Sequence, residues 1–486
     1  MNMAQGQCTG NLSRPEFKGL NQMDAIYNIS EKFNSISYDD LPADVVKATK
    51  KLILDTISVG IGGSGSDGVK QLAQLLVDQG GKEESSVWVF GNRLPCAAAA
   101  QLNATMAHAL DFDDTHDRAV IHVGVSTVPT AFAVADKASD IDGKKFITAV
   151  ALGVEIASRL CLANTVSMFE RGWHYTTLYG NFSATAVAGK LMDLEVNKMI
   201  NAYGLAYHQA GGNLQGLIDG TLAKRLGPGF SVRNGITAAQ MAVVGLTGPR
   251  NSLSGKHGLF NVYHHGDYEP RALVERLGET YEVLNLSYKP YPCCRENHLS
   301  IDAALQLKSE FDIKSDNIKE IIVHMSREGM VAVFSPLIDK QNPKNVVDAQ
   351  FSTPWTIAWA LVYGSVGIEA FTPEAIHDEK VLALSRKVHP VPDDSLAQLG
   401  VSPTVVNIIT KTGETHTQKV ETAYGSPGNP MSMQDMANKM IDCVANAAGH
   451  FGSADVEQLT SMCMNLENLD DVRRITRILS APQAWS

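Results

Sequence analysis

From Met23 to about Leu286 the apolar residues recur at three- and four-residue spacing; the rhythm then breaks and starts again after Tyr424. The first stretch includes MDAIYNISEKF, the run ADVVKATKKLILDTISVGIGG behind Pro42, and FITAVALGVEIASRL, each with helical periodicity. Between the two stretches IKEIIVHMS reads as a strand and PTVVNIITKTGETHTQKVE as a hairpin turning at Lys411 to Glu414, with PWTIAWALVYG and PEAIHDEKVLALSRKV as helices. A chain patterned this way is expected to be mainly α: a large all-helical domain formed by both chain ends, residues 22–287 and 423–486, with a smaller α+β domain, residues 288–422, inserted in it. Residues 1–21 carry few large apolar groups and are expected as a flexible tail. Ser86 to Phe90 reads as a short strand, Gly60, Gly62 and Gly63 as the end of a helix, and the alanine-rich run behind Pro95 as a closely packed helix.

That alanine-rich helix leads into AHALDFDDTHDRAVIHVG, Ala107 to Gly124, where Asp111, Asp113 and Asp114 crowd beside Thr115 and His116. Adjacent acids repel and push at least one pKa upward unless cations, a metal or hydrogen-bond donors compensate, so partners are expected from elsewhere. As one continuous helix the segment would put Asp111, Thr115 and His122 near one face; its β-branched second half and closing glycine make a loop between two helices an equal reading. The plain alternative is a helix-capping acid cluster with a satisfied histidine. A metal loop finds little support: the EF-hand glycine and twelfth-position acid are missing, HExxH does not occur, and the histidines lack zinc-ligand spacing.

Polar and aromatic groups meet again at Trp173, His174 and Tyr175, where His174 reads equally as a packed histidine or an acid-base group. Lys224, Arg225 and Arg233 concentrate positive charge beside Gly220, Gly227 and Gly229, either as a solvated helix face or as an anion site at a helix entry. In YKPYPCCRENH the adjacent Cys293 and Cys294 read as buried thiols rather than nucleophiles.

Charge and composition narrow the classes. A net charge of -11 without a basic block argues against nucleic-acid or anionic-membrane surfaces, so an anionic substrate needs a local basic pocket. No run approaches the roughly 18 apolar residues of a membrane span and the N-terminus is not signal-like, so a soluble cytoplasmic protein is expected. Seven cysteines without a CxxC pair fit a reducing compartment. GxGxxG after a strand, GxxxxGK[ST] and GxSxG are all missing, which removes support for nucleotide cofactors and serine-hydrolase chemistry.

Taken in order, ALDFDDTHDRAVIH followed by Gly124, GWHYTTLYG, LAKRLGPGFSVRNG with LTGP, YKPYPCCRENHLSIDAA, AQFSTPW and GNPMS resemble the MmgE/PrpD family. That family includes 2-methylcitrate dehydratases, cis-aconitate decarboxylases and an iminodisuccinate epimerase. The resemblance runs from about Met23 to Ile475 and implies a helical domain with an α+β lid, a homodimer, and a lyase acting on a small di- or tricarboxylate with no cofactor and no metal. By motif it implies His122, His174, Asp111, Thr115 and His298 as catalytic residues, His298 arriving with the lid. Lys224, Arg225 and Lys289 are expected to clamp substrate carboxylates, with Tyr291 approaching from the lid junction. Val123 stands where many members have proline and Gly227 where a histidine is common, which weakens inference about the substrate. Dehydration of an alkylcitrate ranks first, decarboxylation of cis-aconitate to itaconate second and epimerisation third; a non-catalytic dimeric carboxylate-binding protein is the reading from a different class.

Overall fold

A computed structural model of the protein describes residues 23–398 and 400–480. The expected tail, residues 1–21, lies outside the described residues. The chain is mainly α, as its periodicity predicts. Six helices carry the first part of the fold: α1 (Ala43–Gly63), α2 (Cys96–His108), α3 (Gly124–Ala138), α4 (Gly143–Leu162), α5 (Tyr175–Leu191) and α6 (Ala223–Val243). Small residues let them approach at backbone distance. A Cβ added to Gly229 of α6 would come 2.7 Å from the Gln101 carbonyl oxygen of α2, and one at Gly235 would come 2.9 Å from the Asn181 carbonyl oxygen of α5. Either glycine is therefore a packing requirement.

The chain then builds α7 (His298–Phe311), β1 (Ile318–Met325), α8 (Thr353–Tyr363), β2 (Val388–Pro392), β3 (Thr404–Thr410) and β4 (Thr415–Val420). The four strands form one sheet in the order β2-β1-β3-β4, with β1 and β2 parallel and the other pairs antiparallel. Strict alternation of buried and half-buried residues along β3 turns Thr404, Val406 and Ile408 inward, so α7 covers one face. The hairpin between β3 and β4 turns at the expected residues. Two readings need correction. Val388–Pro392 is an edge strand, and the helix read over PEAIHDEKVLALSRKV ends at Ser385 and not at Val388; of Ser86 to Phe90 only Ser86 is in a strand, and the rest is a buried turn with Val89 at φ 65°. The glycines at 60, 62 and 63 lie within α1.

Two C-terminal helices, α9 (Met433–Ala445) and α10 (Ser453–Met464), return to α1. Lys50 of α1 donates to Glu467 at 2.8 Å and to the Met464 carbonyl at 2.8 Å, and Asn446 donates to the Gly62 carbonyl at 3.0 Å. One hydrophobic core accordingly joins residues from Ile26 to Tyr288 with residues from Met431 to Leu479, while a second gathers residues from Cys293 to Ala423. Each large apolar side chain fully removed from water contributes about 1.5–3 kcal/mol, so the buried C-terminal residues Leu459, Leu466, Ile475 and Leu479 add to the stability of the first core. No helix among the described residues is long and apolar enough to cross a membrane, and the six described cysteines are all free thiols.

Candidate active site

Helix α2 ends at His108 and α3 begins at Gly124, so the acidic stretch is a loop between two helices. Asp111 holds φ 52°, a left-handed conformation in which aspartate is tolerated better than most residues. Asp114 closes the loop onto the start of α3, accepting from Gly124 N at 2.9 Å and Val123 N at 3.2 Å. Burial, with Asp113 and Asp55 nearby, pushes the Asp114 carboxyl well above its ordinary range. Thr115 is fixed by a two-way backbone pair with Ser287, at 2.9 and 2.7 Å. Beneath the loop, Lys439 of α9 donates to the Phe112 carbonyl and to Asp55, both at 2.7 Å.

Asp111 meets two ammonium groups. Lys224, in the first turn of α6, hydrogen-bonds its Oδ1; Lys289 lies 3.2 Å from Oδ2 and donates to the Asp111 carbonyl at 2.8 Å. Burial alone would raise the Asp111 carboxyl, but the two lysines outweigh it and hold it well below the usual carboxylate range. Lys289 is 1% exposed, so its charge depends on this partner.

The histidines form a second group. His122 Nδ1 lies 2.7 Å from the Asp114 carbonyl oxygen and 3.3 Å from Asp113 Oδ2. A carbonyl oxygen only accepts, so Nδ1 carries the proton and Nε2 is left as the basic nitrogen. Burial pushes the His122 imidazole down to about 3, against the upward pull of Asp113, and drives His174 well below its ordinary value. His174 Nδ1 lies 2.7 Å from Thr177 Oγ1. A Cβ at Gly227 would reach within 2.2 Å of that hydroxyl, so this glycine keeps α6 against the His174 support. Between the two rings sits His108, its Nδ1 2.8 Å from Asp113 Oδ2 and its centroid 5.1 Å from His122 and 6.1 Å from His174.

Asp111, its two lysines and the rings of His122 and His174 border a cleft of about 380 Å³ between the helical body and the second core. Of the residues singled out from sequence, Asp111, Thr115, His122, His174, Lys224 and Lys289 line it. Three do not. Arg225 turns away from its neighbour Lys224, because successive helical residues diverge by about 100°, and donates to the Asp67 carbonyl at 3.0 Å. His298 is fully buried, with Nδ1 3.2 Å from Arg295 Nη1 and Nε2 3.3 Å from the Cys293 carbonyl. Tyr291 donates to Asp302 at 2.8 Å, so both support the cleft wall from behind.

The sequence reading missed His108, hidden at the end of an alanine-rich helix, and gave no partner role to Asp113, which serves two histidines. It also missed the pair in which Arg295 grips Asp117 through Nε and Nη2, each at 3.2 Å; the two lie 178 residues apart, and no local signal links them. Cys294 lines the cleft, but burial raises its thiol to about 12, which leaves it protonated. Ligand atoms of His108, Asp113 and His122 lie within 4.8 Å of one another, a grouping of metal-site size. It fits a cation poorly: the Nδ1 atoms act as donors and the ammonium groups of Lys224 and Lys289 act on the same rings.

Residues 27–271 match the MmgE/PrpD N-terminal domain and residues 291–468 the MmgE/PrpD C-terminal domain. Among curated relatives, the chain is similar to the "Cis-aconitate decarboxylase-like protein oryM" of Aspergillus oryzae, at 27% identity over 91% of this chain and 94% of the relative. It is also similar to proteins named cis-aconitate decarboxylase from Mus musculus, at 24% identity over 94% of each chain, and from Homo sapiens, at 25% over 94% of this chain and 95% of the relative.

Proposed function

The chain belongs to the MmgE/PrpD family, and we propose that it is a lyase that removes CO2 from a small polycarboxylate of the cis-aconitate type. The observation that carries this reading is one cleft that combines two lysines sharing a single carboxylate with a histidine whose Nδ1 proton is committed to the protein. Lys224 and Lys289 exceed Asp111 by one positive charge, which a substrate carboxylate neutralises in a site of low dielectric. His122 is neutral in the empty cleft. An incoming polyanion raises its pKa, and Asp113 behind the ring supports the imidazolium, so the ring takes a proton at Nε2 as substrate binds. The bond to the leaving carboxylate then breaks, its electron pair stays on the carbon skeleton, and the Nε2 proton is transferred there as CO2 departs. His122 returns to the neutral state and takes its next proton from water as the next substrate binds. Thr115 and His174 orient the substrate, Asp111 holds the two ammonium groups apart, and the 293–423 unit acts as the lid.

Dehydration of an alkylcitrate is the second reading, favoured by the same neutral His122, which as a base suits removal of a proton beside a carboxylate. Proton NMR of the protein incubated with cis-aconitate and, separately, with 2-methylcitrate separates them. Vinyl signals of a five-carbon diacid are expected from cis-aconitate. Water loss from the alkylcitrate alone moves the assignment to the second reading, and inert substrates that nevertheless bind would point to a carboxylate-binding protein. We also propose a homodimer, as the family resemblance implies; light scattering at half the expected mass would overturn it.

A further inference from the structure

Charge is unevenly spread along the cleft. The end built from the helical body carries Lys224 and Lys289 on Asp111. The wall supplied by the 293–423 unit carries Glu296, on the turn Arg295–Asn297, and Glu328, on the helix Arg327–Val333. Among the described residues nothing hydrogen-bonds the Glu296 carboxylate. It lies against Gly329, where a Cβ would come 2.9 Å from Oε2, so the missing side chain at 329 is what gives the carboxylate its place on the wall. The charges that act on it are Asp117 from the acidic loop, Glu328 from the facing helix and Arg295 from its own turn. Arg295 is already committed to Asp117, and the lysines are not among the groups that offset Glu296.

We propose that Glu296 is the specificity-determining residue of this cleft: it keeps the end formed by the 293–423 unit for an uncharged hydrogen-bonding group and disfavours a third ionised carboxylate. The inference rests on the reading of the cleft as a carboxylate site and narrows its substrate class. The substrate is a dicarboxylate with a neutral far end, or a tricarboxylate that is protonated there. Burial, Asp117 and Glu328 raise the Glu296 carboxyl to about 7. Below that pH its O–H donates to the substrate; above it, two carboxylates face each other while Arg295, the cation that acts on Glu296, is held by Asp117, and the discrimination is at its strongest.

Tricarballylate and glutarate differ only in the central carboxyl group, and their binding to the full chain can be measured by calorimetry at pH 8 and pH 6. At pH 8, Glu296→Gln is expected to tighten tricarballylate about tenfold while leaving glutarate within about twofold, and Glu296→Asp is expected to keep the wild-type preference. At pH 6 the difference between wild type and Glu296→Gln should shrink to about twofold. A merely structural role would move both ligands together, and that result overturns the proposal. So does weaker tricarballylate binding in Glu296→Gln, or no binding of either ligand to the wild-type protein. If the ligands follow the expected pattern but cis-aconitate is not turned over, the lyase reading fails and the specificity assignment stands.

Discussion

Two buried lysine–aspartate couples meet the acidic loop one residue apart, and they serve different ends. At Phe112, Lys439 bonds Asp55 and the loop carbonyl and lies 4.1 Å from the centroid of the Phe112 ring; one cation hydrogen-bonds one anion, and neither lines the cleft. At Asp111, two cations share one anion and border open volume. A buried ion pair is therefore not itself a sign of function. What distinguishes the second couple is its surplus charge and the space beside it.

The comparison can be broken at either couple. The largest expected effect is on stability: Lys439→Met strands the Asp55 charge and is expected to cost about 3–5 kcal/mol in urea denaturation, most of it recovered in Lys439→Met/Asp55→Leu. A loss below about 1 kcal/mol would show that this couple does not hold the loop. His122→Gln comes next, with kcat lowered about 100-fold and the melting temperature within a degree or two of wild type; near-normal turnover removes His122 from proton transfer. Lys224→Met leaves Asp111 paired with Lys289, so KM for an anionic substrate is expected to rise about tenfold with modest loss of stability. An unchanged KM would place the surplus charge elsewhere. The smallest effect is expected from Arg225→Lys, which points away from the cleft and should leave KM within about twofold.

Much of this was legible before any coordinates. The acidic loop announces itself because three carboxylates in four residues need partners, and the lysines that answer them stand out in a chain of net charge -11. The β3–β4 hairpin follows from alternation and turn chemistry. The misses have physical causes. Val388–Pro392 contains two prolines, which an edge strand accepts and a central one does not, so it carries no clear strand pattern. Arg225 was grouped with Lys224 by adjacency in sequence, although adjacent helical residues face different ways. His298 and Tyr291 lie next to the cleft segment in sequence but face their own hydrogen-bond partners. Arg295 and Asp117 are 178 residues apart, and nothing local marks them as a pair.

The attachment of α9 to the acidic loop has a consequence for synthesis. Every described residue that lines the cleft precedes residue 403, yet the ammonium group that fixes the Phe112 carbonyl belongs to Lys439. A chain still emerging from the ribosome at residue 430 therefore holds all of its cleft chemistry while Asp55 and the loop carbonyl wait for their partner. The loop that carries Asp111 and His122 is thus held from beneath by a segment that follows the described cleft residues in the chain.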